Sequence, residues 1–350
     1  MFKSLVDLKE NEILSKAVTL WDGRVILPEG VALRPEYIQM LKELGVRKVY
    51  VRDPEVEEDE GIVILKTEIE RSAKEKVKDV LERHTYHNNK ELEELSKTAD
   101  NIIENILEEE QIVEKVFDIK ERSADIYEHS ISICSMSILT AIKMGLDKKK
   151  AHDIGVACLL HDIGLRYMTI DVINRDEKDF NPQELAEYKK HPIYGYTSVQ
   201  NEKWISETSK NIILSHHERI NGSGFPLKAR ELPIECKIVN VCDAFDEMIC
   251  GIGQKKAKVY EAIEYLKAFK NIKFDDKIVD VFLGFIAVYP VGTRVITNEG
   301  ETAVVTAQNK DFPSRPVIRI IKDKNGRNVR EGNVRDLVKV QNIYIEKVVD

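Results

Sequence analysis

The feature that most constrains this chain is a change in the period of its apolar residues. Through residues 112–288 they recur every three or four positions, in long runs such as Ser130–Met144 and Lys148–Leu160. That spacing sets one face of a helix against a core. Beyond Pro290 the period becomes two, in Arg294–Thr297, Thr302–Thr306 and Val317–Ile321, with turn residues at Asn298-Glu299-Gly300 and Asn325-Gly326. Alternation broken by such turns predicts antiparallel strands. The chain is therefore expected to be mainly α, with a helical bundle over 120–288 and a small β appendage over 289–350.

Two further segments precede the bundle. Residues 1–66 read as a small mixed α/β module, with strands at Val25–Leu27 and Lys48–Val51 and a helix from Pro35 to Leu44 that stops at Gly45. Asp53 follows a strand as a phosphoacceptor would, but the segment is about half the length a receiver domain needs. Residues 67–119 form a charged helical linker. In it Leu92, Leu95, Ala99, Ile102 and Ile106 alternate by three and four, and Val113 and Val116 resume the pattern. Such a stripe is either the seam of a homodimer through the 90–117 helix or the buried side of a helix packed on its own domain.

With 43% hydrophobic and 33% charged residues, the composition is that of a globular protein. A formal net charge of −8 leaves no general basic surface for long nucleic acid, while a small anionic ligand could still bind at a metal or a local basic cluster. No stretch of about 18 apolar residues predicts a membrane span, and the acidic N-terminus lacks the apolar core of a secretory signal. The five cysteines show no C-x-x-C pair and sit in apolar runs, as reduced thiols of a cytoplasmic protein would.

Against this background the histidines stand out. His161-Asp162 ends the apolar run Val156–Leu160 and precedes Gly164. A buried imidazole beside a buried carboxylate is costly unless both are satisfied, by a mutual hydrogen bond or by a divalent cation that the aspartate can bridge. The tetrapeptide His-Asp-Ile-Gly also occurs at 152–155. Nine residues of helix turn the two copies to opposite sides, and His152-Asp153 follows Lys148-Lys149-Lys150, so this earlier copy is placed outside the site. His216-His217 follows Ile212–Leu214, and adjacent imidazoles suit two neighbouring metals. Asp125 and His129 share a helical face. Asp243 is a charge inside an apolar run, and His191-Pro192 closes a polar helix. The loop Arg219–Pro226 offers Arg219 for phosphate, Gly222 and Gly224 for close backbone approach, and Phe225 for base stacking.

Taken in order, His129, His161-Asp162, His191-Pro192 with Gly195, His216-His217-Glu218-Arg219, Gly222-Ser223-Gly224-Phe225-Pro226, and Asp243 with Asp246 resemble the HD-GYP family, a subgroup of the HD-domain metallophosphohydrolases. The match covers about residues 120–285. The resemblance implies an all-helical HD-domain bundle that hydrolyses cyclic di-GMP to pGpG or GMP. It implies two or three divalent metal ions, iron or manganese, held by Asp125, His129, His161, Asp162, His191, His216, His217 and Asp243. Asp162 would bridge, and with His161 would serve a metal-bound hydroxide that attacks phosphorus. Arg219, Gly222, Gly224, Phe225, Pro226 and Arg166 become the substrate contacts.

The departures fall on the substrate side. Leu165 stands where the family carries a lysine, with Arg166 next. Phe225 replaces a tyrosine, and Ile252-Gly253-Gln254 aligns with an Arg-Pro-Tyr segment. Asp125 takes the place of a glutamate in trinuclear members. Two alternatives therefore stand beside cyclic di-GMP hydrolysis: turnover of another phosphate ester or cyclic dinucleotide, and a catalytically weak nucleotide or metal sensor.

Overall fold

The protein is described by a computed structural model covering residues 2–14, 18–19, 25–28, 30–46, 48–51, 61–83, 90–108, 115–119, 122, 124–329 and 333–349. Asp53 and Val113 lie outside these residues. The chain divides into two compact units, one of Gly61–Pro290 with Gln308–Pro316, the other of Met1–Glu60, Val291–Ala307 and Val317–Asp350.

In the second of these units, β1 (Phe2–Ser4), β2 (Val18–Thr19), β3 (Val25–Leu27), α1 (Pro35–Glu43) and β4 (Lys48–Tyr50) enclose a small core that includes Leu14, Leu33, Leu41 and Val51. β1 pairs with β4 and β2 with β3, both antiparallel. Later in the chain β5 (Arg294–Thr297), β6 (Thr302–Ala307), β7 (Val317–Lys322), β8 (Val334–Asp336) and β9 (Ile345–Val349) make one antiparallel sheet in the order β8-β7-β6-β5-β9. The period-two reading anticipates β5, β6 and β7. The glycines of both expected turns, Gly300 and Gly326, take φ values of 78° and 77°, which a side chain would strain. β8 has only three residues, and β9 carries weaker alternation.

The helical unit runs through α2 (Thr67–Arg83), α3 (Glu94–Glu108), α4 (Ile126–Lys143), α5 (Lys148–Leu160), α6 (Pro182–Tyr188), α7 (His191–Val199), α8 (Glu207–Ser215), α9 (Ile234–Cys250), α10 (Val259–Ala268) and α11 (Asp276–Leu283). α4 and α9 are buried along most of their lengths, which is why their sequences are apolar on more than one face. α4 packs against α5 and α9, and α8 against α5, α7 and α9.

α3 follows the second of the two readings of its apolar stripe. Leu92, Leu95, Ala99, Ile102 and Ile106 are fully buried, in the same core as α4 and α5. The stripe is the inner face of a helix packed on its own domain, so it offers no seam for a homodimer. No helix among the described residues is long and apolar enough to cross a membrane.

Candidate metal centre

The centre is assembled where helices end. His161 caps the C-terminus of α5, and Asp162 enters the short 3₁₀ turn Ile163–Tyr167. His191 opens α7, and His216 caps α8 with His217 beside it. His129 lies in the first turn of α4, and Asp243 lies midway along α9. At a helix end the backbone turns away and the side chain can project between neighbouring elements. Seven residues from five segments distant in sequence thereby reach one volume.

Glycine makes the approach close enough. A Cβ on Gly164 would sit 1.9 Å from the backbone oxygen of His191, so the 3₁₀ turn carrying Asp162 can rest on α7 only without a side chain there. Gly164→Ala should cost about 1–3 kcal/mol through overpacking. It should also move Asp162 off His191, read as a lower urea midpoint together with weaker metal retention.

Four of the five imidazoles are held by a partner on one nitrogen. His161, His191 and His216 donate from Nδ1 to the backbone oxygens of Cys158, Tyr188 and Ile213 at 2.8, 2.7 and 2.8 Å. His129 donates from Nδ1 to Asp246 Oδ2 at 2.6 Å. A carbonyl only accepts, so the proton of each of the first three rings is on Nδ1 and Nε2 is left with its lone pair. These Nε2 atoms converge in pairs: His161 and His129 at 3.3 Å, His191 and His216 at 3.1 Å. Facing lone pairs need a proton or a cation between them. Nitrogens bound side by side to one metal at about 2.0–2.1 Å lie about 3.0–3.4 Å apart, which matches both pairs.

The carboxylates complete the two positions. Asp162 Oδ1 is 3.3 Å from His191 Nε2 and 3.7 Å from His216 Nε2, while its Oδ2 is 3.3 Å from His161 Nε2 and 3.9 Å from His129 Nε2. One oxygen thus faces each imidazole pair. Asp243 Oδ1 is 3.3 Å from His129 Nε2. Asp243 is 1% exposed, yet among the described residues neither of its oxygens receives a hydrogen bond. A buried carboxylate left so is unfavourable without a counter-charge, and the residues present therefore fit divalent cations.

Electrostatics agree with this fit. Burial, reinforced by His161 and His191, pushes His216 down to about 3, and burial with His216 pushes His217 well below its ordinary value. Both are neutral at pH 7, as metal ligands must be. Burial opposes charge on His129 and His161 too, but Asp243 and Asp246 outweigh it at His129 and Asp162 outweighs it at His161, so both rise. That negative potential attracts protons or cations alike.

Several expected site residues lie elsewhere. Asp125 caps α4, accepting from the amides of Tyr127 and Glu128 at 3.0 Å each and pairing with Lys74 at 2.7 Å. It is shorter than glutamate by one methylene, and the cap holds it at the helix end, apart from the cluster. Arg219 donates to the carbonyl oxygens of His216 and Glu218 and lies over the Phe274 ring, which clamps the His216-His217 turn. Gly224 approaches the backbone of His217–Arg219, where a Cβ would meet three atoms at 2.5 Å, and Gly222 forms a turn at φ 76°. Both glycines shape their own loop, which seats Phe225 on His217 with ring centroids 4.5 Å apart, and Pro226 follows in a cis peptide. Arg166 is exposed, and its guanidinium is directed to the end of α2 at Glu82. His152 pairs with Asp100 at 2.8 Å on α3, away from the centre as expected.

Other groups near the centre lack a separate motif. Asp246 accepts from His129 and from Ser132 Oγ at 2.8 Å, and pairs with Arg122. Glu247 and Cys250 also fall within reach of the cluster. Their signal was present as polar residues one turn apart in the apolar run of α9. Asp246→Asn should weaken metal affinity by about 10–100-fold by loosening His129, measured by competition with a chromophoric chelator. Val172, Phe180, Tyr188, Cys250 and Ile252 form an apolar cover with Leu165 and Phe225 packed on it, which borders the centre where the Tyr188 and Phe225 rings lie against His191 and His217. Ile252-Gly253 is tied there by Gly253 N donating to Val172 O at 2.9 Å. Lys189 lies over the Phe225 ring at 5.6 Å and pairs with Glu177.

Comparison with known proteins places this arrangement. The HD domain family matches residues 109–278, and a KOW domain associated with the HD domain matches residues 294–350. The cyclic di-GMP phosphodiesterase PA4108 of Pseudomonas aeruginosa is 28% identical over 228 residues, covering 64% of this chain and 55% of that protein. The 3'3'-cGAMP-specific phosphodiesterase 2 of Vibrio cholerae is 32% identical over 143 residues, 40% of this chain and 27% of that protein. The chain thus spans less than two thirds of the length of these relatives. The solved structure of Bd1817, an HDG"Y"P protein from Bdellovibrio bacteriovorus, shares the fold with a TM-score of 0.54 at 23% identity, over 81% of this chain and 97% of that one. The chain therefore carries an HD domain at residues 109–278, followed in sequence by a KOW domain of the kind associated with it at residues 294–350.

Proposed function

We propose that the chain is a metal-dependent phosphodiesterase that hydrolyses cyclic di-GMP to pGpG or GMP. The observation that carries this reading is the convergence of four Nε2 atoms on the two oxygens of Asp162. His191, His216 and His217 would hold one cation together with Asp162, and His129, His161 and Asp243 would hold another beside it. The mixed imidazole and carboxylate donors suit iron or manganese. Cations bound there would lower the pKa of water and neutralise charge on the phosphoryl oxygens.

The chain's own residues do the rest. The backbone oxygens behind His161, His191 and His216 keep those rings aimed. Phe225 offers a ring for a base, and Lys189 places positive charge beside it. The buried free cysteines suit the reducing cytoplasm. The names of the two relatives support a cyclic dinucleotide as the substrate class.

The test is an assay of anaerobically purified, fully metallated protein, with Asp162→Ala as control. Release of pGpG or GMP from cyclic di-GMP is expected, and an untouched substrate would sink the reading. A second substrate has its own motive: Leu165 and Ile252 are packed into the apolar cover, where neither offers charge to a phosphate. Running 3'3'-cGAMP beside cyclic di-GMP, and comparing kcat/KM, separates the two.

A further inference from the structure

Two polar groups beside the metal centre are short of partners. Tyr188 is 4% exposed and Glu247 7%. Among the described residues the Tyr188 hydroxyl makes no hydrogen bond. Glu247 Oε2 meets Gln254 Nε2 only at 3.4 Å, and Oε1 faces His217 Nε2 at 3.9 Å, beyond hydrogen-bond reach. Buried polar groups ordinarily find a partner, and neither of these oxygens is fully enclosed.

The two groups are neighbours. A Cβ on Gly253 would sit 2.2 Å from the Tyr188 hydroxyl and 3.0 Å from Glu247 Oε1, so the chain passes both only as glycine. The phenol is held in place: its ring stacks on Phe180 with centroids 5.5 Å apart and planes 8° from parallel. At neutral pH a phenol donates, and a carboxyl group offers an accepting oxygen in either protonation state. A donor beside an acceptor, with no bond between them, suits one group that both accepts and donates. A hydroxyl does so, whereas a phosphate oxygen only accepts and would face the carboxyl oxygen unfavourably.

Position selects which hydroxyl. In a nucleotide the ribose joins base to phosphate. Phe225, the ring offered to a base, lies 6.0 Å from the Tyr188 ring, and Glu247 approaches His217 of the metal centre. The pair therefore borders both the base site and the phosphate site. We propose that Tyr188 and Glu247 form a ribose subsite for a 2′-hydroxyl, the phenol donating to it and Glu247 Oε1 accepting from it. The subsite makes the centre selective for ribose over deoxyribose in a cyclic dinucleotide. This inference rests on the phosphodiesterase reading.

The experiment gives metallated full-length protein cyclic di-GMP or its bis(2′-deoxy) analogue and compares kcat/KM. Wild type is expected to favour the ribose form by about 10²-fold or more, because a site built around a hydroxyl rejects its absence. Tyr188→Phe is expected to lower kcat/KM for cyclic di-GMP, spare the deoxy analogue and shrink the ratio about tenfold or more. The variant keeps the ring on Phe180 and the backbone carbonyl that holds His191, so its metal content should match wild type. Equal turnover of both compounds by wild type overturns the subsite and leaves the phosphodiesterase reading standing. A ribose preference that survives Tyr188→Phe also overturns it, since sugar conformation would then account for the preference. Turnover of neither compound by wild type sinks the phosphodiesterase reading instead. Calorimetric binding then still decides the subsite, with equal affinities for the two compounds overturning it.

Discussion

Asp162→Ala is expected to deplete the metal centre and to lower phosphodiesterase turnover by about 10³-fold or more. Asp162 is the one side chain that faces both imidazole pairs, with Oδ1 toward His191 and His216 and Oδ2 toward His161 and His129. Its loss removes a donor from each position at once and leaves the close Nε2 pairs with less negative charge to hold a cation between them. Lewis-acid stabilisation is worth several kcal/mol, and each 1.36 kcal/mol is tenfold in rate, which gives the magnitude. Metal analysis and a cyclic di-GMP assay on the same preparation check it. Retention of both metal and activity would show that Asp162 does not bridge.

Arg122→Ala is expected to destabilise the protein by about 3–5 kcal/mol, the usual cost of removing one partner of a buried ion pair. The Arg122 side chain is 10% exposed and pairs with Asp246, which is fully buried. It also approaches Glu128 at 3.4 Å. Beside the guanidinium, Asp246 is held down to about 2: burial opposes this, and Arg122 and His129 outweigh it. Without Arg122 the carboxylate keeps its hydrogen bonds from His129 and Ser132 but loses its main counter-charge. Urea unfolding measures the effect, and a change below about 1 kcal/mol would mean that His129 alone can balance Asp246. The same variant should also bind metal less tightly, since Asp246 anchors the His129 ring.

These two residues differ in how legible they were. Asp162 was marked by an apolar run ending in His-Asp-x-Gly. Arg122 had no local signal, because its partner is 124 positions away and nothing in the residues around it announces burial. Glu247 and Cys250 show an intermediate case. Polar residues in an apolar helix signal a partner, but sequence leaves open whether that partner is a side chain, a backbone group or an ion. Asp125 shows the reverse error: four-residue spacing from His129 puts the two on one helical face, yet the first position of a helix is where an aspartate caps amides. Local capping prevailed over a distant cluster. In α3 the periodicity was right and its partner undetermined, since a stripe at Leu95, Ala99 and Ile102 serves an intramolecular core as well as a coiled coil.

The sequence by itself determined the helical bundle, the β sheet that follows it along the chain and the order of the histidines and aspartates, because period and turn chemistry are local properties of the chain. Tertiary structure alone decided which nitrogen of His161, His191 and His216 is free, that Asp162 faces both imidazole pairs, that Arg219 and Gly224 serve their own loop, and that Leu165 and Ile252 join one apolar cluster. Those facts depend on distances between helix ends far apart in sequence. Packing sets such distances, and a motif does not carry them.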